Sequence, residues 1–344
     1  MQGTVQNRAD NDEMELDRYP LVSVGVPVFN GERGLSRCLE GLLRQDYPNL
    51  EIIISDNGST DATPAICERF ARSDPRIKYS RSFENRGATW NFNRVFELSS
   101  GTYFMWAGHD DDREPSFVSA CVAQLERFQD AVLCQTHTAA SVEGREETLY
   151  VARFDTFEGK PQVVERYRET LERLPAVAIY GMYRSSAVRK TKLLRAVIAT
   201  DLAFVRELSI HGRFVQVPRI LFKYSARESW NTINQDARHF LGRPKPWWYV
   251  PSVMLCIDDG QRVASSEISL GLKIRLLTVL AMYQGRQFAV KVLLKIAGAI
   301  CPAGRKETLG RAMYQRWIHN PNVEIANDEQ FFQRVCKPQL GWWK

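Results

Sequence analysis

Residues 21–110 alternate short apolar runs with stretches of helical spacing, and each apolar run ends in a polar turn. Leu21 to Phe29 carries valine at 22, 24, 26 and 28, the period-2 spacing of a strand. Glu51 to Ser55 holds three successive isoleucines, as strands buried on both faces of a parallel sheet do. Ile77 to Ser80 and Thr102 to Gly108 read as two more strands. Between them, Leu35, Cys38, Leu39, Leu42 and Leu43 fall on one helical face. Pro64 stands just inside a second helix that turns Ile66 and Phe70 inward, and Trp90, Phe92, Val95 and Phe96 mark a third. The alternation predicts an α/β fold with a mainly parallel central sheet flanked by helices. Ligands of such sheets bind outside the carboxyl ends of the strands. The turns at Asn30, Asp56, Arg86 and Asp110 are therefore expected to converge on one crevice.

The last of these turns is Asp110-Asp111-Asp112, delivered directly by the apolar run before it. Hard cations such as Mg2+ take oxygen ligands, usually one or two carboxylates together with substrate phosphates. A solvated acidic loop is the alternative. Pro115 then opens a helix with Phe117, Cys121, Leu125 and Phe128 in register. Ala131 to Ala139 and Val177 to Tyr183 read as strands, Asp201 to Ile210 as a helix, and Arg213 to Tyr224 as a strand or hairpin. From about Ser225 the chain changes character, with helical runs rich in Arg and Lys.

The formal charge of +6 favours anionic partners, and no motif beyond that charge supports nucleic-acid binding. Seven scattered cysteines without a C-x-x-C suggest neither a zinc site nor a disulfide framework, and buried thiols fit a reducing compartment. Met1 to Asp17 is polar, lacks the basic start and apolar core of a signal peptide, and reads as part of a disordered tail over residues 1–19. Leu276 to Ile300 comes nearest to a spanning helix, but Arg286, Lys291 and Lys295 interrupt it. A cytoplasmic location is expected.

Four motifs in order carry a resemblance: Val26-Pro27-Val28-Phe29-Asn30, Ser55-Asp56-Asn57-Gly58-Ser59-Thr60-Asp61, Asn85-Arg86-Gly87, and Asp110-Asp111 with Pro115. In these the chain resembles the family 2 glycosyltransferases over residues 20–225. The resemblance implies the GT-A fold, an activated nucleotide-sugar donor, Mn2+ or Mg2+, and inversion at the anomeric carbon. Residues 226–344 would then be a mostly helical extension.

Carried over residue by residue, Pro27 to Asn30 resembles the first nucleotide-binding turn, with Phe29 against the base unless it is core at a strand end. Asp56 resembles the carboxylate that accepts the imide N–H of uracil. Ser59, Thr60 and Asp61 can cap the following helix, which would leave Asp56 free. Arg86 would approach base or phosphates, or be a surface arginine. Asp111 resembles the metal ligand, with Asp110 beside it on metal or ribose, while Asp112 falls outside the pattern and is expected to be solvated.

Asp201, in Ala199-Thr200-Asp201-Leu202, resembles the catalytic base, although a carboxylate there also suits a helix N-terminus. A histidine that many relatives carry after the next strand is missing from Phe222 to Ser229, where Lys223 or Arg227 could supply charge instead. His239 is too distant in sequence to assign.

The expected partners are a nucleotide-sugar, in the first instance a UDP-sugar, and a glycan or lipid-linked acceptor in cell-surface polysaccharide synthesis. The basic amphipathic helices near the C-terminus would either touch the inner face of the plasma membrane or pack on the catalytic domain. A sugar-phosphate nucleotidyltransferase would open with a glycine-rich basic loop, which Pro27 to Glu32 lacks. A non-catalytic nucleotide-sugar binding module would not need Asp111 or Asp201.

Overall fold

The computed structural model describes residues 19–142, 147–226, 233–241, 243–300 and 320–326. The expected N-terminal tail lies outside them except for Tyr19, as does Arg227. Four parallel strands, β1 (Val22–Val28), β2 (Leu50–Asp56), β3 (Ile77–Arg81) and β4 (Tyr103–Trp106), lie side by side in the order β3-β2-β1-β4. All seven residues of β1 and of β2 are buried, because each strand has neighbours on both edges and helices over its faces. Gly25 is where α3 (Ala88–Glu97) comes closest, since a Cβ there would stand 2.6 Å from Val95 Cγ2.

Helix α1 (Leu35–Leu43) buries Leu35, Cys38, Leu39 and Leu42, as its spacing predicts. Helix α2 (Thr63–Ser73) buries Cys67 and Phe70 with Ile66 partly covered, and α3 buries Val95 and Phe96. At the carboxyl end of β4, Trp106 is fully buried and in ring contact with Phe96, Phe104, Tyr183 and Phe204. This aromatic plug fixes the strand that carries the acidic run.

Beyond β4 the sheet is mixed. It takes in β5 (Asp112–Arg113), then α4 (Phe117–Arg127) leads to β6 (Ala131–Val142) and β7 (Thr148–Ala152). Helix α5 (Val163–Arg173) precedes β8 (Met182–Arg184), α6 (Ser185–Val188), α7 (Thr200–His211) and β9 (Arg213–Ala226). Strand β8 is antiparallel to both β4 and β6, β7 is antiparallel to β6, and β9 runs parallel to β6 and antiparallel to β5.

The strand expected over Val177 to Tyr183 is instead a 3-10 turn, Ala176–Tyr180, leading into β8. The Tyr183 hydroxyl and the Gln135 amide donate to the Ala178 carbonyl, which takes that segment out of the ladder while its apolar side chains stay buried. The expected strand or hairpin at Arg213 to Tyr224 is one strand, kinked where Pro218 and Arg219 are exposed.

The C-terminal elements are α8 (Ile233–Leu241), α9 (Pro251–Ser265), α10 (Leu270–Ile300) and β10 (Val323–Ile325). The last returns to the sheet as an edge strand on β7. A second apolar cluster, including Tyr167, Leu171, Ile210, Val263, Leu276 and Leu280, joins α5, α7, α9 and α10. Beside it lies a buried ionic network, in which Arg262 reaches Glu207 (2.6 Å) and Asp258 (2.7 Å), and Arg206 reaches Asp259 (2.8 Å). No helix among the described residues is long and apolar enough to cross a membrane.

Candidate active site

The turns after β1 and β2 are laced together. Asn30 adopts a left-handed backbone (φ 52°), which asparagine tolerates better than most residues. Its N–H donates to Ser59 Oγ (2.9 Å), its Oδ1 accepts from the Thr60 N–H (2.9 Å), and the Gly31 N–H donates to Thr63 Oγ1 (2.8 Å). Asp61 accepts from the backbone N–H groups of Glu32 and Thr63.

Asp56 is not left free by these contacts. It is fully buried, with Oδ1 accepting the Ser59 N–H (2.8 Å) and Oδ2 held by the Tyr79 hydroxyl (3.1 Å) and Arg81 (3.3 Å). The next turn is set by Asn57, whose side chain binds the Gly87 carbonyl, the Asn85 side chain and the Arg86 N–H. The Arg86 side chain lies over the Trp90 ring, 4.3 Å from its centroid.

The acidic run is split by its own geometry. Asp112 enters β5 opposite Lys223, and its Oδ1 accepts the N–H of Arg113. Asp111 stays in the loop, is 2% exposed, and accepts the Ser225 N–H at Oδ1 (3.0 Å). Its other oxygen, Oδ2, is buried with no hydrogen-bond partner among the described residues. It packs on Gly108, where a Cβ would stand only 2.4 Å away. Burial, and then the neighbouring Asp110 charge, push the Asp111 carboxyl up to about 7, against the attraction of buried Arg113. An acid so placed favours a proton or a cation against Oδ2.

Beside this loop a cavity of about 250 Å³ opens at the carboxyl ends of β1 and β4. Pro27 and Phe29 line it together with Asn85, Asn91, His109, Asp110, Tyr180, Tyr224 and Ser225, and α8 closes it with Arg238 and His239. Asn91 donates to the carbonyls of Val28 and Ser55, and its Oδ1 is a buried acceptor without a partner among the described residues. Asn30, Asp56, Arg86, Asp111 and Asp201 do not line the cavity.

Asp201 lies in the first turn of α7, after Ala199 in a left-handed conformation (φ 63°). Burial raises its carboxyl, against the pull of the Leu202 N–H, its own N–H and Arg206. Tyr180 lines the cavity and packs on Phe222 and Tyr224. Its phenol is held neutral by burial and then by Asp111, Tyr224, Asp110 and Asp201, so all three carboxylates bear on one ring.

Residues 23–192 match the model of the family described as glycosyl transferase family 2. The chain carries a family 2 glycosyltransferase domain. Among curated relatives, EpsH of Bacillus subtilis, assigned as a glycosyltransferase, is 31% identical over 176 residues, 51% of this chain and 50% of that protein. The glycosyltransferase GlyA of Streptococcus pneumoniae is 35% identical over 31% of this chain and 15% of its own length. The chondroitin synthase of Escherichia coli is 34% identical over 33% of this chain and 16% of its own. The aligned segments thus span half or less of these relatives.

Among solved structures, S. aureus TarS 1-349 in complex with UDP superposes with a TM-score of 0.57 at 16% identity, covering 94% of this chain and 86% of that one. Its complex with UDP-GlcNAc gives 0.58 at 15% identity, covering 86% and 81%. The expected GT-A fold is therefore present, and its crevice is where Pro27, Phe29 and Asp110 meet.

Lys223 is ion-paired with Glu114 (2.8 Å), and the basic side chains that line the cavity among the described residues are Arg238 and His239 on α8, which sequence spacing alone does not place there. Among the described residues no group of three or more His, Cys, Asp and Glu side chains is gathered to hold a metal ion. Two carboxylates with one unpartnered buried oxygen nevertheless fit the kind of cation site that relies on substrate phosphates for its remaining ligands. Tyr180, Tyr224, Asn91 and Arg113 went unread in the sequence. Only Asn91, a polar residue on the inward face of α3, left a usable signal there.

Proposed function

We propose that the chain is an inverting glycosyltransferase. It would transfer a sugar from a nucleotide-sugar, a UDP-sugar in the first instance, to a glycan or lipid-linked acceptor in cell-surface polysaccharide synthesis. The observation that carries this reading is the unpartnered Asp111 Oδ2 beside Asp110, at the edge of a cavity formed by the strand ends. The TarS complexes with UDP and UDP-GlcNAc support the choice of donor.

In this reading Phe29, 41% exposed, offers its ring to the base, and Asn91 Oδ1 waits for a donor from the ligand. Asp56 shapes the turn from beneath, because a buried carboxylate already holding Ser59, Tyr79 and Arg81 cannot meet a base without rearranging them. Arg86 reaches the donor only by leaving Trp90. Asp110 and Asp111 would hold Mn2+ or Mg2+, which supplies positive charge to the departing diphosphate. Arg238 adds a permanent charge on the same side.

Asp201 takes the proton of the acceptor hydroxyl as that oxygen bonds to the anomeric carbon and the bond to the phosphate oxygen breaks. Its raised affinity for a proton suits a base. Leu270, Ile274, Leu277, Phe288, Val292 and Ile296 are exposed on one stripe of α10, opposite the buried Leu276, Val279 and Leu280. The helix contains no acidic residue, and Lys273, Arg275 and Arg286 lie outside the stripe. A basic helix with an outward apolar face complements an anionic lipid surface.

A screen of UDP-, GDP- and dTDP-sugars for release of nucleoside diphosphate, with and without Mn2+, tests the proposal. Metal-stimulated release from a UDP-sugar is expected, and Asp201→Asn should lower transfer by ~10²- to 10⁴-fold while keeping UDP affinity. Release from none of the donors would overturn the reading.

A further inference from the structure

A second cavity, of about 520 Å³, is lined by Leu241 at the end of α8 and by Arg243 just beyond it. Arg238 and His239, within a turn of Leu241, line the first cavity, so the end of α8 borders both. The opposite wall is the segment Arg195 to Val197, and α9 contributes Met254, Ile257, Asp258 and Gln261. Its size falls within the usual range of small-ligand sites.

Its position bears on the reaction. Val197 is four residues before Asp201, which bounds their separation at about 14 Å. The segment between them is fixed rather than loose. The Arg195 N–H donates to Thr200 Oγ1 (2.8 Å), and the Ile198 N–H donates to the Tyr249 hydroxyl (3.0 Å). The wall of the cavity is thus tied both to the start of α7, where Asp201 lies, and to the segment that carries Trp248. In an inverting transfer the acceptor enters opposite the leaving diphosphate, so a site tied to the base and sharing α8 with the donor cavity is where an acceptor belongs.

The lining names the chemistry. Arg195 donates to Gln261 Oε1 (2.8 Å) and pairs with Asp258 Oδ1 (2.7 Å), which makes a floor of fixed planar donors and acceptors suited to sugar hydroxyls. Trp248 is half exposed at the cavity, an aromatic face of the kind on which a sugar ring stacks. Arg243 is exposed at the rim and has no ion-pair partner among the described residues, which leaves a guanidinium free for a carboxylate or phosphate.

We propose that this cavity is the acceptor subsite and that it takes an oligosaccharide bearing carboxylate or phosphate groups. The inference rests on the glycosyltransferase reading above and adds the location and charge of the acceptor.

The test is direct binding of three probes to the full chain: neutral chitohexaose, a chondroitin hexasaccharide carrying carboxylates, and a short poly(glycerol phosphate). UDP binding is measured on the same samples. At least one anionic probe should bind about tenfold tighter than chitohexaose, and the difference should shrink at high salt. Arg243→Glu should remove that preference, and Trp248→Ala should weaken all binding, with UDP affinity unchanged in both.

The arm that binds separates carboxylate from phosphodiester acceptors. Equal binding of neutral and anionic probes, no binding of any probe, or binding indifferent to both substitutions would overturn the inference. If UDP also fails to bind the unaltered chain, the donor reading has failed rather than the acceptor assignment alone.

Discussion

Replacing Asp111 by asparagine should stabilise the metal-free protein at alkaline pH. Burial and the Asp110 charge raise the Asp111 carboxyl from 3.8 to about 7 in the folded chain. Between those values the folded protein holds a proton that the unfolded chain has already lost. Folding therefore gains from this group at low pH, and that gain disappears as pH rises through about 7. At 1.36 kcal/mol per pH unit, the interval corresponds to about 4 kcal/mol, a large part of the stability of an ordinary domain.

Asparagine copies the protonated acid in shape. It keeps an oxygen for the Ser225 N–H and leaves the other position unpartnered, as it already is. Urea denaturation in chelator at several pH values from 4.5 to 8.5 is the assay. The unaltered chain should lose stability relative to the variant as pH rises toward about 7, so that the two differ by only about 1 kcal/mol at the acid end and by about 4 kcal/mol at the alkaline end. Parallel curves would refute the reasoning, because they would mean that Asp111 ionises without strain.

Two further outcomes are expected. Arg262→Ala leaves Glu207 and Asp258 buried beside each other without their shared cation, and should cost about 3–5 kcal/mol in urea denaturation. The full chain should float with vesicles containing anionic phosphatidylglycerol and not with neutral phosphatidylcholine, and Ile274→Glu with Phe288→Glu should abolish flotation, since both side chains are exposed on α10. Flotation unchanged by that pair, or self-association of the chain lost with it, would assign the face to another occupant.

The parallel half of the fold is legible because its signals are local. The valines of β1, the isoleucines of β2 and the apolar spacing of α1 each report burial that the structure contains. The mixed half is not, because there the same composition serves different backbones. Val177 to Ile179 are as apolar as a strand, but a distant side chain, Gln135, competes for the Ala178 carbonyl and curls them into a turn. The split between Asp111 and Asp112 is set by the pairing of β5 with β9, a contact more than a hundred residues away, which draws Asp112 half-buried into a strand where a solvated side chain was expected.

The same distance hides the α8 residues. Nothing near Arg238 or His239 in sequence shows that they close a cavity floored by β1. Asp56 differs in kind: its position is readable, but its partners Tyr79 and Arg81 come from the next strand and occupy the Oδ2 that the turn's own residues leave open.

In the proposed donor site Asp110 and Asp111 hold a cation under the diphosphate of a nucleotide. Calorimetric titration of UDP into the unaltered chain and into Asp111→Ala, each with and without Mn2+, tests it most directly. UDP affinity should tighten at least tenfold with Mn2+ in the unaltered chain and stay unchanged by Mn2+ in the variant. Equal enhancement by Mn2+ in both proteins would contradict the claim.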